Sequence, residues 1–123
     1  MAVVQAVNVK TPHDGPVEMW EWADMANGDT GTFVILPRHG DKSVHAYGTF
    51  GAGGTVTFRG SNETPATEAN ASIVHSPSET NLTLTATAGA GLKQVLEAPY
   101  SVSPKVTAGD GTTSLTVLLC VRR

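Results

Sequence analysis

The chain has 123 residues, of which 40% are hydrophobic and only 15% charged, with a net charge of -3 at pH 7. That length suits one domain burying roughly two thirds of its unfolded surface, and the charge balance excludes both an acidic disordered tail and a basic nucleic-acid reader. Thirteen Gly and seven Pro, with abundant Thr, favour strands and tight turns over long helices.

Ala2 to Val9 alternates weakly and runs into the breakers Thr11-Pro12-His13-Asp14-Gly15-Pro16, so residues 1–12 read as an edge strand or an extended arm. In Val17 to Trp22, a period of two puts Val17, Met19 and Glu21 on one face and Glu18, Trp20 and Trp22 on the other. A turn at Asn27 to Gly31 leads to the apolar strand Phe33 to Leu36, closed by Pro37.

The clearest signal follows. Ser43 to Phe50 and Thr55 to Gly60 alternate on either side of Gly51-Ala52-Gly53-Gly54, which reads as a β-hairpin. Val44, Ala46, Gly48 and Phe50 then face one core together with Val56 and Phe58. The polar stretch to about Ala69 is a loop containing Pro65, and Ser72 to His75 is a short strand. Leu82 to Thr87 alternates strictly, its Leu and Ala side inward. Gly91 to Glu97 fits a helical turn or a bulged strand equally well. Tyr100 to Thr107 is a strand that Pro104 pushes toward an edge or a bulge. After a turn at Ala108 to Thr112, the last strand to Val121 is apolar on both faces at Leu118 and Cys120, which argues for a central position. Strands spaced by turns throughout indicate an all-β, single-domain antiparallel β-sandwich or barrel, jelly-roll-like.

Chemistry is sparse. His13, His39, His45 and His75 lack metal-ligand spacing, and His45 falls beside Tyr47 on the polar face of its strand. Asp14, Asp24, Asp29, Asp41 and Asp110 sit in turn-like contexts, where a short carboxylate bonds nearby N–H groups. Neither Ser61 nor Ser76 has a nucleophile-elbow context. Gly51 to Gly54 precedes a strand rather than a helix, which rules against a phosphate loop. Cys120 reads as a small buried hydrophobe. The expectation is a protein with no enzymatic activity, cofactor or metal. The start Met1-Ala2-Val3-Val4 lacks the basic and long apolar regions of a signal peptide, and no stretch approaches the roughly 20 apolar residues of a membrane span. A soluble protein made in the cytoplasm is expected, which makes Asn-x-Ser/Thr triplets at Asn62, Asn70 and Asn81 chance matches.

Trp20 and Trp22, sharing one face, suit a core or a subunit interface; with Tyr47 they also suit a carbohydrate- or receptor-binding platform. The candidate contact residues are Val3, Val4 and Val7 of the arm, Trp20 and Trp22, and the basic Arg122 and Arg123, which suit a solvated tail or an ion pair with a neighbour.

The run Val44-His45-Ala46-Tyr47-Gly48-Thr49-Phe50-Gly51-Ala52-Gly53-Gly54-Thr55-Val56-Thr57-Phe58-Arg59-Gly60-Ser61-Asn62 resembles a family of small structural proteins of tailed bacteriophages. Val95-Leu96-Glu97-Ala98-Pro99, Pro104, and Thr107-Ala108-Gly109-Asp110-Gly111-Thr112-Thr113 follow in that family's order. Asn62-Glu63-Thr64 departs from its usual Asn-Asp-Gly, and residues 64–71 follow no such pattern. The resemblance implies a capsid cement or decoration protein at the virion surface, made in the host cytoplasm. Its implied partner is the major capsid protein, with no nucleic acid and no membrane, and its implied form is a homo-oligomer, a trimer above all. A tail, neck or baseplate component is the alternative.

Overall fold

Segments that alternate apolar with Thr or Ser side chains form pleated strands, because each then buries one face and hydrates the other. The computed structural model describes residues 2–9, 17–36, 41–78, 80–87 and 90–122, and among these there are strands and turns but no helix. Numbered along the chain, the strands form two sheets packed face to face, a sandwich rather than a closed barrel. The larger sheet runs β1 (Val3–Val4), β4 (Thr30–Gly31), β11 (Ser101–Ala108), β7 (Thr55–Ser61) and β8 (Ser72–Ile73). Alongside that path, β5 (Val34–Ile35) pairs with β11 and β9 (Thr83–Thr85) with β7. The smaller sheet runs β10 (Leu92–Val95), β6 (Asp41–Thr49), β12 (Ser114–Arg122), β3 (Val17–Met25) and β2 (Val7–Asn8). Pairing is antiparallel except between β1 and β4.

The core lies between the sheets. Leu115, Val117, Leu119 and Val121 of β12 meet Val56, Phe58, Val102 and Val106 of the larger sheet, all fully buried. Trp22 stands edge-on to Phe58 across the gap, with ring centroids 6.1 Å apart, and its Nε1–H donates to the Thr32 carbonyl at 3.0 Å. The indole thus loses no hydrogen bond on burial. Between Trp22 and Met25 the strand carries one residue more than β12 opposite. Asp24, with φ 55°, takes up this bulge and returns Met25 to the core.

The expected hairpin is an arch. β6 pairs with β12 and β10 in the smaller sheet, whereas β7 pairs with β11, β8 and β9 in the larger. Gly51 to Gly54 therefore carry the chain from one sheet to the other. Inward alternation is the same in both arrangements, so Val44, Ala46, Val56 and Phe58 are buried as anticipated; Gly48 and Ala86 are exposed instead. The turn between β11 and β12 is a second arch, and the two are clasped together. Asp110 Oδ2 accepts from the Ala52 N–H at 2.8 Å, while Oδ1 accepts from the Thr112 N–H at 2.9 Å and the Thr112 hydroxyl at 2.7 Å. The Thr113 hydroxyl donates to the Phe50 carbonyl at 2.8 Å. These donors, the Thr112 hydroxyl foremost, hold the Asp110 carboxyl down to about 2.

The N-terminal segment is docked, not a free arm. β1 extends the larger sheet and β2 the smaller, so one short stretch closes a seam between them. Asp29 fastens it: Oδ1 accepts from the Ala2 N–H at 3.0 Å and Oδ2 from the Ala26 N–H at 2.9 Å. Residues 10–12 lie outside the described residues.

Pro104 sits at neither an edge nor a bulge, since β11 is interior and its irregularity falls between Val106 and Ala108. Val106 exchanges main-chain bonds with Gly28 and Asp29, so by alternation the nitrogen of Pro104 points to the same side. There it faces the break between β4 and β5, where no ladder donor is required. The ambiguous stretch 91–97 contains the edge strand β10, and β12 is central as expected.

Gly51 and Gly53 share a left-handed backbone, φ 70° and 69°, but differ in surroundings. A Cβ on Gly51 would lie 2.3 Å from Asp110 Oδ1, whereas one on Gly53 meets nothing. Gly53→Ala should therefore cost about 1 kcal/mol from backbone strain alone and Gly51→Ala about 2–3 kcal/mol, read by urea unfolding. Because the folded Asp110 titrates near 2 rather than 3.8, its contribution is complete above pH 4 and is lost as pH falls through 2. The gap between melting temperatures of the parent and Asp110→Asn should accordingly close over that interval.

Candidate functional site

With one set of alternating side chains in the core, the other set of the smaller sheet forms its outer face. One row crosses the whole sheet: Leu92 opposite His45, then Leu118, Glu21 and Val7. Beside it runs Gln94, Ser43, Cys120 and Met19. Tyr47 pairs with Thr116 at one end, and Asp41, Arg122 and Val17 form the other. Solvated faces of antiparallel sheets are usually polar, yet this one exposes Leu92 at 59%, Val7 at 56% and Tyr47 at 44%, with Leu118, Met19 and Cys120 half-buried. Among the described residues, its charged side chains are Glu21, the exposed Asp24 at the bulge beside Thr116, and the facing pair Asp41 and Arg122. His45 and Tyr47 stack at a tilt, centroids 5.4 Å apart. The arrangement offers a flat, weakly charged surface suited to contact over area.

At the Asp41 end, Lys42 points to the core side and is buried; desolvation pushes its ammonium down, against the raising influence of the Asp41 and Glu97 charges. Glu97 in turn accepts from the His75 N–H at 2.8 Å and contacts His75 Nδ1 at 2.6 Å. Those contacts, the main-chain one foremost, hold its carboxyl below the usual range.

The outer face of the larger sheet is partly roofed by the loop after β7. Arg59, buried on β7, reaches Glu68 with both terminal nitrogens and Ser103 Oγ at 2.7 Å, and its guanidinium lies 5.7 Å from the centre of the Phe33 ring. Its Nε has no hydrogen-bond partner. Glu63 accepts from the Thr67 N–H and hydroxyl and from Asn70 Nδ2, which lowers its carboxyl, the Thr67 hydroxyl contributing most. Beside this roof, Val3, Phe33, Ile35, Pro65 and Tyr100 line a cleft of about 380 Å³.

The candidate contact residues are not brought together. Val7 and Arg122 lie on the outer face of the smaller sheet, Val3 is exposed on β1, and Val4 and Trp20 pack against the core. Trp22 is fully buried, so it belongs to the chain's own core and offers no interface. Arg123, His13, His39 and Asp14 lie outside the described residues. Trp22 is buried and Trp20 turned inward, so neither joins Tyr47 in a stacking platform. Cys120 is half-buried on the outer face, not in the core. Sequence reading does not single out Leu92, Met19 and Leu118; the outward apolar Leu118 is visible there, but by itself it argues only for a central strand. Among the described residues, no group of three or more His, Cys, Asp or Glu could hold a metal ion, and no helix is long and apolar enough to cross a membrane. Neither the protein-family models nor the curated proteins compared with the chain give a match.

The Arg59–Glu68 pair is asymmetric, with side-chain exposures of 7% and 48%. Removing the acid strands a buried cation, whereas removing the cation leaves a carboxylate that water can reach. Glu68→Ala should lower stability by about 3 kcal/mol and Arg59→Met by less, measured by urea unfolding.

Proposed function

We propose that the chain is a non-enzymatic structural protein of a bacteriophage virion, a capsid cement or decoration protein that lays the outer face of its smaller sheet on the major capsid protein. The observation that carries this reading is that face. It presents apolar Leu92, Leu118 and Val7 in one row across the sheet, with Met19 in the row beside it, and its charges held to a few positions. Its footprint is on the order of 600 Å², close to the about 800 Å² that each partner contributes to a stable interface. The resemblance to phage structural proteins adds weight, because its motifs at Gly51 to Gly54 and Ala108 to Thr113 are the two arches that the Asp110 clasp joins. In this reading the protein acts at the capsid surface as a small symmetric oligomer, a trimer matching threefold sites of the shell.

Mixed with expanded capsids that lack it, the purified protein should bind and raise the temperature at which the shell disrupts. Recovery with tails alone would sink the proposal. Leu92→Glu puts a charge at an exposed edge position, where folding stability should change by no more than about 0.5 kcal/mol. Capsid binding by that variant should weaken at least about tenfold, for a loss of about 1.4 kcal/mol.

A further inference from the structure

A different surface, independent of the capsid reading, carries the further inference. Leu36 N–H donates to the Tyr100 carbonyl at 2.7 Å, and Val34 faces Val102 in the same register. In an antiparallel ladder main-chain groups alternate sides, so the N–H and C=O of Ile35 and the C=O of Phe33 point away from β11. Among the described residues, no strand pairs with them there. An unpaired edge of this kind is a template for a further strand.

Two clefts flank that edge. On the outer side lies the 380 Å³ cleft, where Ile35, Pro65 and Tyr100 supply apolar walls and Glu63 the charge. On the seam side is one of about 280 Å³ lined by Gln5, Ala6, Trp20 and Val34, with no charged residue. Side chains of an added strand alternate between two such sides. The Glu63 carboxyl is held below the usual carboxylate range, the Thr67 hydroxyl contributing most, whereas Glu68 is already neutralised by Arg59, so Glu63 gives the outer rim its negative charge.

We propose that the β5 edge is a docking site for an extended segment of a partner protein, which adds a strand through Phe33 and Ile35. The segment places apolar side chains in the Trp20 cleft and basic ones against Glu63. Main-chain bonds supply the affinity and the two unlike clefts the specificity.

The test uses the whole chain and a capped nonapeptide alternating valine and lysine, with a valine–glutamate peptide as control. Binding of the lysine peptide should slow amide exchange at Ile35 by about tenfold or more at saturation and shift Trp20 fluorescence, read in a Trp22→Phe background. The glutamate peptide should bind more weakly. Ile35→Pro removes only the outward N–H, so the β11 pairing survives; it should abolish peptide binding, while Ile35→Thr retains it. Spectra of each variant report whether it is folded. Three results overturn the proposal: no binding by the lysine peptide, binding that leaves the Ile35 amide unprotected, or protection that rises with protein concentration alone, which assigns the edge to a second copy.

Discussion

Where each sheet gets its central strands is decided at two loops. β6 and β7 are consecutive, as are β11 and β12, yet in each pair one strand belongs to one sheet and its successor to the other. If the two arches slid past each other, the β6–β12 and β7–β11 ladders would both lose register, and with it the burial of every second side chain. Asp110 prevents this by accepting from Ala52 of the first arch and Thr112 of the second, while Thr113 reaches back to Phe50. A carboxylate is the efficient group here, since a single side chain satisfies several N–H and O–H donors at once and bonds to charged acceptors are the stronger ones.

This explains what the sequence could and could not say. Strand positions and inward faces were legible because period-two alternation is a local property; Val44, Ala46, Val56, Phe58, Leu82 and Leu84 lie in the core as read. Which strand pairs with which was not legible, because a hairpin and an arch demand the same alternation and the same Gly-rich loop. Pro104 misled for a related reason. It forbids a ladder donor at one point, and a break between β4 and β5 on the facing side meets that condition as well as an edge does.

Contact surfaces were harder to read than the core. The tryptophans drew attention by size, but size favours burial, and Trp22 closes the gap to Phe58 instead of meeting a partner. The residues that give the smaller sheet its apolar outer face are individually ordinary: Leu92 on an edge, Leu118 in a centre strand, Val7 in the N-terminal segment. Only the cross-strand register lines them up. The same holds for the outward main-chain groups of Ile35, which depend on β5 and β4 meeting β11 as separate pieces.

The placement of β12 also has a consequence for biosynthesis. It is the centre strand of the smaller sheet and brings Leu115, Val117, Leu119 and Val121 to the core, yet it follows the other eleven strands among the described residues. Its partner β6 has to wait, unpaired on that side, until translation has passed Arg122 and the ribosome has released the segment. Sheets built from such distant pairings close late. Incomplete chains therefore lack an assembled outer face, and that surface exists only on molecules whose synthesis has gone past that point.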